Sequence, residues 1–211
     1  MNLLITAGPT REPLDPVRFL SNHSTGRMGF ALAQAAADAG HKVVLIAGPV
    51  TLTTPSGVRR INVETALEML DAVKEELAAC DVFISCAAVA DWRPEQCSSM
   101  KLKKAEMANV LRLVRNPDIL KMVAPLKGNR IFVGFSAETG DPIAEATRKL
   151  HEKKLDLIVA NDVTAVGSGF AVETNCVTLL FPDGRIVSLP LQSKLDVARA
   201  ILSQLPERQT M

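Results

Sequence analysis

Short, continuously apolar runs at 2–7, 42–47 (KVVLIA), 82–86, 131–135 and 157–160 recur between stretches of helical periodicity. That alternation constrains the fold most. A strand apolar on both faces needs cover on both, and a parallel sheet with crossover helices supplies it. The helical stretches fill the gaps. The span 26–39 sets Met28, Ala31, Leu32 and Ala35 on one face and stops at Gly40, and Thr65 caps 65–79 with Glu68 at the reciprocal capping-box position. Asn116-Pro117-Asp118 opens a helix to about 124, and Asp141-Pro142 opens one to 154. The fold class is therefore α/β, a doubly wound Rossmann-like, mostly parallel sheet. After Asn161 the pattern changes. The runs 175–181 and 185–189, joined by Pro182-Asp183-Gly184, read as a C-terminal β-hairpin extension, and Ser193 caps a last helix. Such a hairpin either covers the sheet edge or pairs with its copy in a second subunit. The apolar stripe Val177, Leu179 and Phe181 favours a homodimer. The whole span 1–211 reads as one domain, with a loose tail from Pro206.

The first strand runs into Gly8-Pro9-Thr10 and a long polar excursion before the helix at about Gly26. Gly8 has no side chain to keep a ligand off the backbone, and the helix start favours phosphate. A plain dinucleotide fold crosses in a few residues. Here Thr10, Arg11, Glu12, Asp15, Arg18, Asn22, His23, Ser24, Thr25 and Arg27 are offered to one place, which suits a substrate with several charged parts. In a doubly wound sheet the strand tips converge on the ligand. The other tips carry Gly48-Pro49, Ala87-Ala88-Val89-Ala90-Asp91, Ser136-Ala137-Glu138-Thr139 and Asn161-Asp162. Asp91 reads equally as a contact to ribose or hydrated Mg²⁺ and as a turn cap. The Ala87–Ala90 run reads as packing by itself. Lys101-Leu102-Lys103-Lys104 closes an irregular stretch on the same rim, as a solvated face or as a phosphate-reaching loop. Lys149 and Lys153 share one helical face, with Glu145 and Glu152 nearby to neutralise them.

Several classes are excluded. A net charge of +1 with interspersed acids and bases argues against a nucleic-acid coat or a membrane-surface protein. No apolar run approaches the length of a membrane span, and the chain opens directly on a strand, with no signal segment. Cys80, Cys86, Cys97 and Cys176 lack metal-ligand spacing, so they read as reduced thiols of a cytoplasmic protein. There is no GxxxxGK[ST], no acid after the second strand to grip a ribose, and no tyrosine for hydride chemistry. His23, His41 and His151 join no Ser/His/Asp or Cys/His motif, so covalent catalysis is not indicated.

The motifs ITAGPTREPLDPVRFLSNHSTGRMG, AAVADWRP, KLKK, RNPDIL, VGFSAET and LDLIVAND, in this order and spacing, resemble the phosphopantothenate–cysteine ligase family. In bacteria this is the synthetase half of a bifunctional coenzyme A biosynthesis protein. The resemblance covers nearly the whole chain and implies joining of 4′-phosphopantothenate to L-cysteine, with Mg²⁺ as cofactor. CTP activates the carboxylate through an acyl-cytidylate, releasing CMP and pyrophosphate; relatives elsewhere use ATP. It implies nucleotide contacts at Gly8, Ala87, Asp91, Asn116, Pro117, Phe135, Lys149 and Lys153, and a flap lysine at Lys101. Arg18, Asn22 and Ala88 match positions tied to the acyl intermediate and its capture by cysteine. The flavin-dependent decarboxylase half is absent from the chain, so a fused or separate decarboxylase is an implied partner. Such chemistry needs no protein nucleophile, only two anions brought together and a stabilised leaving group. A Rossmann-type reductase and a non-catalytic nucleotide sensor are the competing readings. The missing tyrosine and ribose acid count against the first, the crowded polar loop against the second.

Overall fold

The computed structural model describes residues 1–103, 110–138, 142–162, 169 and 172–206. Lys104, Thr139, Asp141 and the tail beyond Pro206 therefore lie outside the described residues. In chain order the elements are β1 (Asn2–Ala7), β2 (Arg11–Pro13), β3 (Phe19–Ser21), α1 (Arg27–Asp38), β4 (Lys42–Ala47), β5 (Val58–Asn62), α2 (Ala66–Leu77) and β6 (Val82–Ser85). There follow β7 (Trp92–Pro94), β8 (Leu113–Arg115), α3 (Ile119–Val123), β9 (Ile131–Glu138), α4 (Pro142–Glu152), β10 (Leu157–Asp162), β11 (Thr174–Leu180), β12 (Ile186–Ser193) and α5 (Lys194–Leu202). The main sheet has eight strands in the order β12-β11-β10-β9-β6-β1-β4-β5. From β10 to β5 every neighbour pairs in parallel, whereas β11 and β12 run antiparallel.

Successive residues of the central strands point to opposite faces, so their unbroken apolar runs feed two cores. On one face Leu3, Ile5, Leu45, Val133 and Val159 pack beneath α1 and α5. On the other, Leu4, Ile46, Phe83, Phe132 and Ile158 pack beneath α2, α3 and α4, with Phe83 and Phe132 edge to face at 5.4 Å.

The hairpin β11–β12 extends the sheet by pairing Ile158 with Leu180. Val177, Leu179 and Phe181 are buried in the same cluster as Val197, Ala198 and Ile201 of α5. The apolar stripe that argued for a homodimer is therefore covered within the chain. The outer strand β12 carries Pro190 at a register shift, where it faces β11 between the Val177↔Leu189 and Asn175↔Gln192 pairs.

The edge strand β5, VRRIN, was not legible in the sequence; its arginines break the apolar run, but its ladder to β4 is regular from Val43↔Val58 to Ala47↔Asn62. Two caps also differ from expectation. Thr65 caps α2 by accepting from the Glu68 N–H, but the Glu68 carboxylate takes the N–H of Glu64 rather than that of Thr65. Helix α3 starts later than expected. Asp118, not Asn116, caps it by accepting from the Lys121 N–H at 3.2 Å. Finally, the two excursions are not coil: β2 pairs with β3 and β7 with β8, each as a small antiparallel ribbon beside the main sheet.

Candidate active site

The carboxyl end of the sheet is assembled by backbone. Gly8 and Gly26 both take left-handed conformations, with φ of 79° and 78°. A Cβ on Gly48 would lie 1.8 Å from the Pro9 carbonyl oxygen, so only glycine lets these two loops cross. Beyond the last β1–β6 pair the chains continue side by side. The Ala88 N–H donates to the Gly8 carbonyl at 2.9 Å, and the Thr10 N–H donates to the Ala88 carbonyl at 3.3 Å. Thr6 and Thr10 hydroxyls accept from the Ala87 and Ala90 N–H groups at 3.3 and 3.0 Å. Segment 87–90 is thus pinned along its length to residues 6–10.

Much of the polar excursion serves this construction and not a ligand. Thr10, Glu12 and Asp15 are only 0%, 1% and 3% exposed. Glu12 Oε1 accepts the Ala66 N–H at 2.9 Å, supplying a second acceptor at the start of α2. The Arg11 guanidinium lies over the Phe19 ring. Asp15 closes its own turn and forms an ion pair with Arg18, which holds the Asp15 carboxyl well below the ordinary carboxylate range against the opposing effect of burial.

A cavity of about 400 Å³ opens where these tips meet. Of the residues expected at the site, Asn22, Ala87, Ala88, Asp91, Asn116 and Pro117 line it, as do Phe135 and Lys153. Asn22 is exposed, and its amide donates to the Ala88 carbonyl at 2.8 Å, a bond across the cavity wall rather than to its own backbone. Asn116 braces the wall. Its amide donates to Ala90 O at 2.8 Å and its carbonyl accepts from Arg93 at 2.9 Å. Asp91 is exposed, and the helices α1, α2, α3 and α5 are capped by other residues.

Gly8, Arg18, Lys101 and Lys149 are not among the lining residues. Gly8 is packed against Gly26 and Gly48, so its role is close approach of backbone to backbone. Arg18 is engaged by Asp15 and donates to the Leu102 carbonyl at 3.1 Å. Lys149 is tied to Glu138 at 2.6 Å and Glu145 at 3.5 Å. Burial raises the Glu138 pKa, but hydrogen bonds from Lys149 and Ser136 lower it by more. Lys153 pairs with Asp118 at 2.9 Å, not with Glu152, which binds Lys121 and Arg148 instead. Lys101 is exposed and makes no ion pair among the described residues.

The cavity also holds residues that the sequence did not single out. Lys194 is 5% exposed, and its ammonium donates to the carbonyls of Gly169 at 2.8 Å and Val172 at 2.6 Å. Burial, reinforced by nearby Arg27, lowers its pKa. A lysine at the first position of a helix opposes the helix dipole, and that was the available signal. Cys86 lines the cavity too, but burial pushes its thiol up to about 12, so it is not a thiolate nucleophile at neutral pH. Among the described residues no three His, Cys, Asp or Glu side chains cluster as metal ligands. The carboxylates among the lining residues are Asp91 and Asp118, and Asp118 is paired with Lys153.

Comparison with known proteins identifies the family and the fold. Residues 1–208 match the family described as DNA/pantothenate metabolism flavoprotein C-terminal domain. The chain is 51% identical over 207 residues to the coenzyme A biosynthesis bifunctional protein CoaBC of Vibrio vulnificus strain YJ016, covering 97% of this chain and 51% of that protein. It is 49% identical over 205 residues to the Bacillus subtilis strain 168 protein of the same name, covering 97% of this chain and 50% of that one. The chain thus spans about half the length of the curated relatives it matches. Its fold superimposes on the crystal structure of a CoaBC C-terminal domain with a TM-score of 0.82 at 42% identity, covering 96% of this chain and 92% of that one.

Proposed function

We propose that the chain, which belongs to the DNA/pantothenate metabolism flavoprotein C-terminal domain family, is a ligase that joins 4′-phosphopantothenate to L-cysteine at the expense of CTP. The observation that carries this reading is the cavity itself. Its wall is pinned backbone at 87–90, flanked by the Asn22 amide and the Lys153–Asp118 pair, and its one thiol is held protonated. Such a site suits an acid–amine ligation in which both reactants are substrates. A carboxylate oxygen attacks the α-phosphorus of CTP, the α–β phosphate bond breaks, and pyrophosphate leaves. The cysteine amine then attacks the acyl carbon, CMP departs, and the amine loses a proton as the amide forms.

The residues divide between the steps. Asp91, Asn116, Pro117, Phe135 and Lys153 face the nucleotide, and Ala87 and Ala88 let its phosphates come close to the backbone. Mg²⁺ bound to the triphosphate would neutralise its charge, with Asp91 as the protein oxygen best placed to hold it. Lys101 answers the phosphates from its loop during activation. Asn22 orients the activated carbonyl for the amine, since an amide both donates and accepts without titrating near neutral pH. Gly8, Arg18 and Lys149 act behind the wall. We further place the protein in the cytoplasm, as its thiols are free, and read it as a homodimer whose contact uses exposed Ile186 and Leu191 of β12, with the decarboxylase fused or separate. No helix among the described residues is long and apolar enough to cross a membrane.

The test is cysteine-dependent pyrophosphate release compared across CTP, ATP, GTP and UTP. The expected result is release with CTP well above the others. Release with ATP alone would reassign the nucleotide, and no cysteine-dependent release with any of them would overturn the ligase reading.

A further inference from the structure

We infer that Asp15 is a positioning residue for Lys101, because its carboxylate and the Arg18 guanidinium together seize both backbone polar groups of Leu102, the next residue in the chain. This rests on the ligase reading above and extends it to a residue outside the cavity.

The two carboxylate oxygens of Asp15 have different work. Oδ1 accepts from the Val17 and Arg18 N–H groups at 2.8 and 2.9 Å, closing the turn that begins at Asp15. Oδ2 accepts from Arg18 Nε at 3.1 Å and from the Leu102 N–H at 3.2 Å. Arg18 completes the grip by donating to the Leu102 carbonyl at 3.1 Å. A further bond, from the Ser98 N–H to the Leu14 carbonyl at 3.0 Å, ties the same stretch one residue before Asp15. A loop otherwise exposed at Ser99, Met100, Lys101 and Lys103 is thus held at one residue by a side chain that is itself wholly buried.

The physical consequence is placement. A lysine on an unpinned loop sweeps its ammonium through a large volume, so its time near a phosphate is small. Fixing the adjacent backbone confines that sweep, and confinement of a catalytic group is a large rate term. A charged acceptor suits the task, because hydrogen bonds to an ionised carboxylate are stronger than neutral ones and this one is shielded from water. Arg18, matched by resemblance to the acyl intermediate, is accounted for here as the second jaw of the clamp.

Asp15→Asn separates the two oxygens. The amide keeps an acceptor for the Val17 and Arg18 backbone N–H groups but replaces Oδ2 with an N–H₂ group, which cannot accept from Leu102 or from the Arg18 guanidinium, so both jaws of the clamp are released. Leu102→Pro removes the same bond from the loop side and leaves the turn untouched, so it serves if Asp15→Asn fails to fold. Two readouts are needed: hydrogen exchange of the Leu102 amide in the unliganded chain, and single-turnover formation of the acyl nucleotide. In Asp15→Asn, Leu102 exchange should accelerate; Leu102→Pro has no amide hydrogen at 102 and is read by acyl-nucleotide formation alone, and in both variants amides of β1 and β4 should stay protected. Acyl-nucleotide formation should fall roughly tenfold. Combined with Lys101→Gln, however, Asp15→Asn should cost less than about twofold more, since both changes remove the same contribution.

Losses that multiply in the double variant would overturn the inference, because Asp15 would then act independently of Lys101. A wild-type Leu102 amide that exchanges like a free loop amide would overturn the clamp itself. A wild-type chain that forms no acyl nucleotide while Leu102 stays protected would instead overturn the ligase reading, and the role of the clamp with it.

Discussion

The polar excursion at 8–26 and the alanine run at 87–90 flank the same cavity, and each does what the other's sequence suggests. The excursion is rich in groups able to bind a charged substrate, but Thr10, Glu12 and Asp15 point inward and hold the N–H groups of Ala90, Ala66 and Leu102. The alanine run has no polar side chains, but its backbone forms the cavity wall. Polar side chains build here, and backbone lines the cavity. The reason is general: a cavity wall of bare peptide is precise only if every peptide group not facing the ligand is held, and buried side chains are what hold it.

The largest effect should come from the backbone crossing that sets the wall. Gly48→Ala would place a Cβ 1.8 Å from Pro9 O, an overlap that side-chain rotation cannot relieve. Denaturant unfolding should show a loss of at least about 4 kcal/mol, or no folded protein at all. A loss below about 1 kcal/mol would mean that the loops do not cross this closely.

Thr10→Val removes the acceptor for the Ala90 N–H and keeps the side-chain volume. It should cost about 1–3 kcal/mol in unfolding experiments, because a buried donor is left unsatisfied. If Thr10 contacted substrate instead, stability would hold and KM alone would rise.

Acid should weaken the fold in a defined window. Asp15, Glu145, Glu152 and Asp196 are lowered chiefly by hydrogen bonds to Arg18, Arg148, Lys121 and Ser193, respectively, and Glu145 falls from 4.5 to about 2. Their carboxylates are ionised in the fold where the unfolded chain has taken up protons, so the stabilisation is present above about pH 5 and fades as pH falls from about 4.5 toward 2. The urea midpoint should therefore be flat from pH 7 to 5 and drop below that, and Asp15→Asn should make the drop shallower.

The smallest effect should be at Cys86. A thiol raised to about 12 is no nucleophile at neutral pH, so Cys86→Ser should leave turnover within about threefold. Loss of all activity would bring protein covalent chemistry back into the account.

The same contrast explains what the sequence disclosed. Strands such as KVVLIA announced themselves because burial on both faces requires continuous apolarity, whereas β5 was hidden because its run is broken by Arg59, exposed at the edge, and by Arg60, whose guanidinium lies over the Phe30 ring. Asn22, Asp91 and Lys153, expected at the site chiefly through the family resemblance, all line one cavity. What could not be read was which polar residues of the excursion are internal. That depends on partners at Ala66, Ala90 and Leu102, many positions away, and no local pattern encodes them. Lys194 offered only one local signal, a cation at a helix start; the partners that hold its ammonium, the carbonyls of Gly169 and Val172, are distant in the chain. The hairpin shows the converse error: an apolar stripe indicates burial but not by what, and here α5 covers it.

Asn22 is the residue of the excursion that both reaches the cavity and remains exposed, so the division between building and acting rests on it. Its amide already holds Ala88 O at 2.8 Å, which places it at the wall where the activated carbonyl would lie. The most direct measurement is mass-spectrometric trapping of the acyl-cytidylate in Asn22→Asp supplied with CTP, phosphopantothenate and cysteine. The account predicts that the variant folds, consumes CTP, accumulates the acyl-cytidylate and passes it to cysteine on the order of a hundredfold more slowly than the wild type. Normal turnover, or a variant that makes neither intermediate nor product, would contradict it.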